Sequence, residues 1–184
     1  MKTLNILGIC GSLRQSSTNM GLLRYAQENA PSGVQIDIAD LSGVPFYNAD
    51  MTEKPDAVKT LLADFERADA LLLACTEYNY SLAPALKNAL DWASRAQDNH
   101  LLAGKTVALM GSGGGMGSAR AQYHLRQVCV FLDLYVLNKP EIFCNAFSGS
   151  FDDKGRLIDE KIQEMIPQQL DALASLSRRL QSPL

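Results

Sequence analysis

The sequence lacks any hydrophobic run long enough to form a membrane span, so we expect no transmembrane segment. The apolar segment that follows Thr3 is broken by Gly8 and Gly11 and has no small-residue cleavage site after it. It therefore does not resemble a secretory signal peptide. We expect a cytoplasmic protein without a membrane partner.

Cysteine and histidine are also scarce, and the few present are not spaced as metal ligands. No CxxC pair occurs, and a reduced thiol in apolar surroundings is a small hydrophobic group. We expect Cys10 and Cys75 to be buried thiols without a redox role, and we expect no metal site. The four cysteines are Cys10, Cys75, Cys129 and Cys144, and the two histidines are His100 and His124.

Charge of one sign does not predominate. The chain has 17 basic and 20 acidic residues and a formal net charge of −3. Such a balance provides no overall attraction to nucleic acid or to an anionic membrane, so an anion site has to be local. It is also unlike the strong acidity typical of electron carriers that dock on partner proteins.

The hydrophobic pattern predicts one α/β domain over residues 1–184. Short apolar runs alternate with segments of helical periodicity, and the run at Ala70–Cys75 is hydrophobic enough to be a central strand. Right-handed crossovers between such strands give a flavodoxin-like, three-layer, doubly wound sandwich with a five-stranded parallel sheet of order 2-1-3-4-5. The predicted strands are 4–10, 34–38, 70–75, 106–110 and 134–138, and the predicted helices are 19–30, 56–68, 84–96, 117–131 and 159–180.

This fold places a ligand crevice at the carboxyl ends of strands 1 and 3. The loop after strand 1, Gly11–Asn19, has neither the GxGxxG pattern of dinucleotide sites nor the GK[ST] of nucleotide-hydrolysing P-loops. Its single glycine and many side-chain donors favour a terminal phosphate, as in FMN, over a buried pyrophosphate. Ordinary helix capping by serine and asparagine is the alternative. The candidate phosphate ligands are Ser12, Arg14, Ser17, Thr18 and Asn19.

Two further loops complete the predicted site. The loop after strand 3 contains Glu77, Tyr78 and Asn79, which supply an aromatic face and hydrogen-bonding groups for a planar heteroaromatic ring. The loop after strand 4 contains Ser112, Gly113 and Gly114, whose backbone can approach such a ring closely. A structural loop with packed tyrosines and a flexible glycine turn are the respective alternatives.

Four ordered motifs resemble the NADPH-dependent FMN reductase family, which includes quinone and chromate reductases. The resemblance covers nearly the whole chain and departs at Thr76, where the family usually has proline, which would stiffen the turn. The motifs are Gly11-Ser12-Leu13-Arg14-x-x-Ser17-x-Asn19, Glu77-Tyr78-Asn79-Tyr80-Ser81, Lys87-Asn88-Ala89-Leu90-Asp91-Trp92-Ala93-Ser94-Arg95, and Arg120-Ala121-Gln122-Tyr123-His124-Leu125-Arg126.

The resemblance implies bound FMN, with the first loop on its phosphate and the other two on its isoalloxazine. It implies a ping-pong reaction in which NADPH or NADH gives hydride to the flavin, and quinones, free FMN, azo compounds or chromate accept it. No catalytic side chain is nominated, because the chemistry belongs to the flavin. A flavodoxin-type electron-transfer protein is the alternative, and a flavin-sensing regulatory protein is a third interpretation.

The resemblance also implies a homodimer or homotetramer, since relatives form both. Arg120, Tyr123 and Glu141 are candidate polar contacts between subunits, and His124 is expected to be packed or at an interface. The chain also has more large apolar residues in this region than one small domain is expected to bury. They are Tyr80, Leu82, Leu86, Trp92, Tyr123, Val128 and Phe131.

Overall fold

Strands and helices alternate along the chain, as the hydrophobic pattern predicts. The computed structural model describes residues 3–181. The strands are β1 (Leu4–Cys10), β2 (Val34–Ile38), β3 (Ala70–Ala74), β4 (Glu77–Tyr78), β5 (Ser81–Leu82), β6 (Thr106–Gly113), β7 (Tyr135–Val136) and β8 (Ile142–Asn145). The helices are α1 (Thr18–Glu28), α2 (Asp56–Arg67), α3 (Pro84–Arg95), α4 (Ala119–Phe131) and α5 (Glu160–Gln181), with a 3-10 turn at Gln97–Asn99.

The main sheet is parallel and has the order β2-β1-β3-β6-β7. This confirms the predicted flavodoxin-like order 2-1-3-4-5. Every residue of β3 is buried, in agreement with its predicted central position. A strand buried on both faces has no need of polar residues, which explains its unbroken run of alanine and leucine.

The fifth position of the sheet differs from the prediction, which placed a single strand at 134–138. The short strand β7 pairs with the beginning of β6, whereas β8 pairs with its end from Met110 to Gly113. Pro140 lies between the two strands and has no N–H to donate to a ladder. The strand β8 was not predicted, because four residues with alternating burial make a weak pattern.

Two hydrophobic layers enclose the sheet. Leu71 and Leu73 point to the layer covered by α2, α3 and α4, whereas Leu72 points to the layer covered by α1 and α5. Successive side chains of a strand face opposite sides, so one strand contributes to both layers. The three-layer sandwich is therefore confirmed.

The expectation of excess apolar surface was wrong for two residues. Trp92 and Leu86 are buried in the α3 layer, and the Trp92 indole Nε1 donates a hydrogen bond to the Pro45 carbonyl at 2.8 Å. The loop that follows β2 covers Trp92 through Pro45 and Tyr47, which the helical spacing alone did not indicate. Tyr80, Tyr123 and Phe131 remain exposed.

Candidate functional site

The three predicted loops lie together at the carboxyl edge of the sheet. The Gly11 N–H donates to the Ala74 carbonyl at 3.0 Å, which joins the end of β1 to the end of β3. A Cβ at Gly11 would lie 3.2 Å from both the Thr76 amide nitrogen and its Oγ1. Glycine at this position therefore lets the first two loops touch, as the switch point of a doubly wound sheet requires.

The first loop leads into the amino terminus of α1. Ser17 caps the helix, and its Oγ accepts a hydrogen bond from the Met20 N–H at 3.2 Å. The Ser12 Oγ accepts one from the Arg14 N–H at 3.4 Å, while the Arg14 side chain is exposed. The capped helix end and the free guanidinium combine a positive dipole with a cation, which suits an anion.

Asn19 is fixed differently from the other residues of this loop. Its side-chain Nδ2 donates to the Ser112 carbonyl at 2.8 Å, and its Oδ1 accepts from the Ser112 N–H at 2.9 Å. Both residues are buried. The amide of Asn19 thus joins the first loop to the third and holds them at a fixed separation.

The second loop forms a tight antiparallel hairpin of β4 and β5. Its two turn residues, Asn79 and Tyr80, have φ angles of 50° and 66°. Two successive left-handed residues match the twist of a two-residue hairpin. Of the two residue types present here, asparagine adopts this conformation readily and tyrosine does not. Tyr80 is therefore a strained residue at the edge of the site, as functional loops often contain.

An ion pair attaches this hairpin to α4. The Glu77 carboxylate accepts from Arg120 Nε at 3.0 Å and from the Ala121 N–H at 3.2 Å, so it also caps the helix. The Arg120 guanidinium lies 3.7 Å from the centre of the Tyr80 ring, within cation–π range. The carboxylate of Glu77 is engaged in the protein, which leaves Tyr78, Asn79 and the backbone of the hairpin to face a ligand.

The third loop continues from β6 into a glycine-rich turn. A Cβ at Gly114 would meet no atom within 4 Å, whereas one at Gly117, where φ is +57°, would lie 2.6 Å from the Phe143 carbonyl carbon. Gly117 is thus required by the fold, and the open space at Gly114 is available to a ligand. The Ser112 hydroxyl is buried and has no hydrogen-bond partner within the described residues 3–181.

A cavity of about 620 Å³ opens between the first two loops and the segment that follows β2. Its size lies within the range of roughly 300–1,000 Å³ usual for small-molecule sites. The predicted loops contribute Gly11, Leu13, Arg14 and Tyr78 to its walls, whereas the other lining residues were not predicted as site residues. The signal was the turn-rich stretch after β2, which the sheet order places beside β1. The missed lining residues are Leu41, Val44, Pro45, Phe46, Pro84, Ala85 and Asn88.

The model of the NADPH-dependent FMN reductase family matches residues 4–148. The chain belongs to this family. An NAD(P)H-dependent FMN reductase of Pseudomonas aeruginosa is 49% identical over 180 residues, which cover 96% of this chain and 97% of the relative. An NADPH:quinone oxidoreductase of Arabidopsis thaliana is 42% identical over 187 residues, covering 97% and 94% of the two chains. These matches confirm the resemblance inferred from the four motifs.

The solved structures agree with this assignment. A flavoenzyme NAD(P)H:(acceptor) oxidoreductase of Paracoccus denitrificans superposes with a TM-score of 0.86 at 27% identity, covering 96% of this chain and 98% of its own. The family assignment confirms two predictions for this NADPH-dependent FMN reductase family member: that it is an oxidoreductase, and that it uses FMN and NAD(P)H.

The histidines and two of the cysteines of this FMN reductase family member lie outside the three loops. His100 and His124 are exposed, and His124 Nδ1 lies 3.1 Å from the Ser81 Oγ of the hairpin, a contact the sequence did not reveal. Burial raises the pKa of the Cys10 and Cys75 thiols. Within residues 3–181 no helix has the length and apolarity to cross a membrane, and no cluster of acidic, histidine or cysteine side chains forms a metal site.

Proposed function

We propose that this protein is an FMN-containing reductase that oxidises NADPH or NADH and reduces quinones or similar small acceptors. The observation that carries the proposal is the apolar cavity at the carboxyl edge of the sheet, bounded by an anion-binding loop on one side and by Tyr78 on another. In the overall reaction, one NAD(P)H and one proton from solvent convert one quinone to a hydroquinone.

The first loop fits the phosphate of FMN. Ser17 and Thr18 stand at the amino end of α1, and Ser12 and Arg14 precede them in the same loop, where Arg14 also lines the cavity. A phosphate dianion needs several N–H and O–H donors and a positive field, and this loop supplies both. We assign Asn19 a positioning role, because its amide is bonded to the backbone of Ser112.

The other two loops fit the isoalloxazine. Thr76 lies two residues after β3 and Ser112 is the second-last residue of the neighbouring strand β6, and each has a buried hydroxyl without a hydrogen-bond partner among residues 3–181. Buried polar groups are normally hydrogen-bonded, so a ligand with carbonyl and ring-nitrogen atoms would satisfy them. The proposed ring contacts are Glu77 through its backbone, Tyr78, Asn79, Ser112, Gly113 and Gly114.

FMN, when bound, supplies the atom that receives and gives up hydride. The chain then has to bind the phosphate, orient the ring and leave one face of it open to substrates. Among the described residues that line the cavity, Arg14 carries the only charge, and none is a nucleophile or a base. We accordingly nominate no catalytic side chain.

An absorbance spectrum of the purified protein after reconstitution with FMN tests the proposal. We expect a flavin spectrum that NADPH bleaches without oxygen and that a quinone restores. Steady NADPH oxidation with the quinone identifies a reductase. A stable one-electron semiquinone without turnover identifies an electron carrier instead, and failure to retain FMN removes the proposal.

Replacing Ser112 by alanine is expected to weaken FMN binding by about fivefold. The variant loses one hydrogen bond to the ring, which is worth about 1 kcal/mol net. The apo protein should be as stable as the parent or more stable, because an unsatisfied buried hydroxyl is removed. Flavin fluorescence titration and urea denaturation measure the two effects separately.

Thr106→Val is the matched control. The Thr106 hydroxyl is also buried without a hydrogen-bond partner in the described part of the chain, but Thr106 stands at the opposite end of β6 from Ser112. We expect this variant to leave FMN affinity unchanged. Equal affinity losses in both variants would contradict the assignment of Ser112 to the ring.

We propose further that the protein is at least a dimer that associates through α4. Tyr123 and Phe131 are exposed on this helix, together with Val130, and a groove of about 460 Å³ separates α4 from α3. An exposed apolar patch of this kind is typical of a subunit contact. The polar candidates are partly used within the chain, since Arg120 pairs with Glu77, and Glu141 pairs with Lys139 and Arg126.

Light scattering at micromolar concentration should give at least twice the chain mass of 20.1 kDa. Phe131→Glu should reduce it to the mass of a monomer, because a carboxylate buried in an apolar contact is strongly unfavourable. Leu180→Glu, on the exposed end of α5, should leave the mass unchanged. A monomeric parent protein would sink this proposal.

We also propose a cytoplasmic location and a single domain. The four cysteines are all free and buried, which suits a reducing compartment. The two hydrophobic layers share one sheet, which supports a single folding unit.

A further inference from the structure

Phe46 is a large aromatic residue that lines the cavity and yet is mostly exposed to solvent. It belongs to the segment 41–47, which follows β2 and which we call the β2 segment. Phe46 is 75% exposed, although it lines the cavity together with Leu41, Val44 and Tyr78. A large aromatic ring that faces solvent at the rim of an apolar cavity is a candidate contact for a ligand.

The backbone on both sides of Phe46 is held by α3. The Pro45 carbonyl accepts hydrogen bonds from Asn88 Nδ2 at 2.9 Å and from Trp92 Nε1 at 2.8 Å. The Tyr47 N–H donates to Asn88 Oδ1 at 2.8 Å, and the Tyr47 ring packs edge-on against Trp92 with 5.1 Å between the ring centres. Asn88 and Trp92 are buried, so they form a rigid base for the segment.

These contacts fix the residues that flank Phe46 while leaving its own side chain uncovered. A ring that served only to fill the core would instead be buried, as Trp92 is. Binding sites gain affinity when a contact residue is held in place before the ligand arrives, because less conformational entropy is lost on binding. The β2 segment is built in this way.

The lining of the cavity defines the kind of ligand that Phe46 suits. Its walls combine aliphatic side chains with the rings of Phe46 and Tyr78, and among the described residues that line it Arg14 is the only charged one. Few polar groups are available to a small, strongly hydrated anion. A flat, uncharged ring gains both apolar burial and aromatic contact here.

We propose that Phe46 is a specificity-determining residue for the electron acceptor. Its ring contacts the flat ring of quinone-type acceptors and thereby favours them over small inorganic oxidants. This inference rests on the proposed function, because it concerns the acceptor that the FMN-loaded protein reduces. Asn88 and Trp92 act as positioning residues for Phe46.

Steady-state kinetics of the FMN-loaded Phe46→Ala variant test this role. With NADPH as donor and menadione as acceptor, we expect KM for menadione to rise about tenfold with little change in kcat. KM for ferricyanide, which has no flat apolar ring, should change less than twofold. Phe46→Tyr retains the ring and should restore KM for menadione to within about twofold of the parent.

Equilibrium binding gives a second readout that does not depend on turnover. 2-Naphthol is flat and largely apolar, and calorimetry can measure its binding to the oxidised, FMN-loaded protein. Its Kd should rise about tenfold in Phe46→Ala and recover in Phe46→Tyr. FMN affinity, measured by fluorescence, is determined for all three proteins, so that every acceptor assay is run at saturating FMN.

Leu180→Ala is the matched control, since Leu180 is an exposed apolar residue on the last turn of α5. It should not change either constant. Equal increases of KM for menadione and ferricyanide, or an unchanged 2-naphthol Kd, would overturn the role of Phe46. A change in oligomeric mass without a change in KM would also overturn it, by showing that a second copy of the chain covers the ring. A parent protein that reduces no acceptor would instead refute the proposed function.

Discussion

Replacing Asn19 by alanine is expected to lower the free energy of unfolding of the apo protein by about 3 kcal/mol. The substitution removes both partners of the buried Ser112 backbone, whose N–H and carbonyl bond the Asn19 amide at 2.9 and 2.8 Å. A buried polar group left without a partner costs about 1–3 kcal/mol. Urea denaturation followed by tryptophan fluorescence measures the change.

The same variant should also bind FMN less tightly, because the first and third loops are no longer held together. Asn29→Ala is the matched control: it removes an asparagine from the end of the same helix, where Nδ2 donates to the Tyr25 carbonyl on the exposed surface. We expect the control to change stability by less than about 1 kcal/mol. Equal effects of the two substitutions would show that the contact between Asn19 and Ser112 contributes no more to stability or FMN affinity than an exposed hydrogen bond does.

The Cys75 thiol should react with iodoacetamide about 1,000-fold more slowly in the native protein than in the urea-unfolded protein at pH 8. Burial, with a smaller contribution from the nearby Glu77 carboxylate, raises the pKa of Cys75 from 9.0 to about 12. At this pH, an increase of the pKa by one lowers the fraction of reactive thiolate about tenfold. Peptide mass spectrometry after timed quenching gives the rate for this thiol separately from the other three.

This shift also affects stability at high pH. Above pH 9 the unfolded chain releases the Cys75 proton while the folded chain retains it, so the unfolded state binds fewer protons. The free energy of unfolding should therefore fall as the pH rises from 9 towards 12. The contribution is fully present below pH 9.

A protonated, buried thiol has no part in the proposed reaction. Cys75→Ser should accordingly retain both FMN and turnover. Rapid native-state alkylation, or loss of turnover with flavin retained, would assign Cys75 a chemical role that its burial argues against.

Much of the fold could be predicted from local pattern. The run at Ala70–Cys75 is apolar throughout, and the structure places it at the centre of the sheet. Glycine and serine residues after the strands marked the loops of the carboxyl edge. The short strand β8 was not predicted, because its four residues carry too little periodicity to identify a strand.

The side-chain partners in the site could not be predicted in the same way. Asn19 and Ser112 meet only because β1 and β6 flank β3, and Glu77 meets Arg120 only because the hairpin packs on α4. Such pairs depend on sheet register and helix placement, which local sequence does not encode. The anchoring of Phe46 through Pro45 is of the same kind, since its donors lie on α3 more than 40 residues later.

The separation of 93 residues between Asn19 and Ser112 has a consequence for synthesis on the ribosome. The first loop emerges early, but the Ser112 backbone to which Asn19 bonds is missing until β6 has been translated and has joined the sheet. Contacts this distant along the chain form late because a long loop has to close first. Under the proposed function, FMN would therefore stabilise the finished chain selectively, and shorter nascent chains would gain little from it.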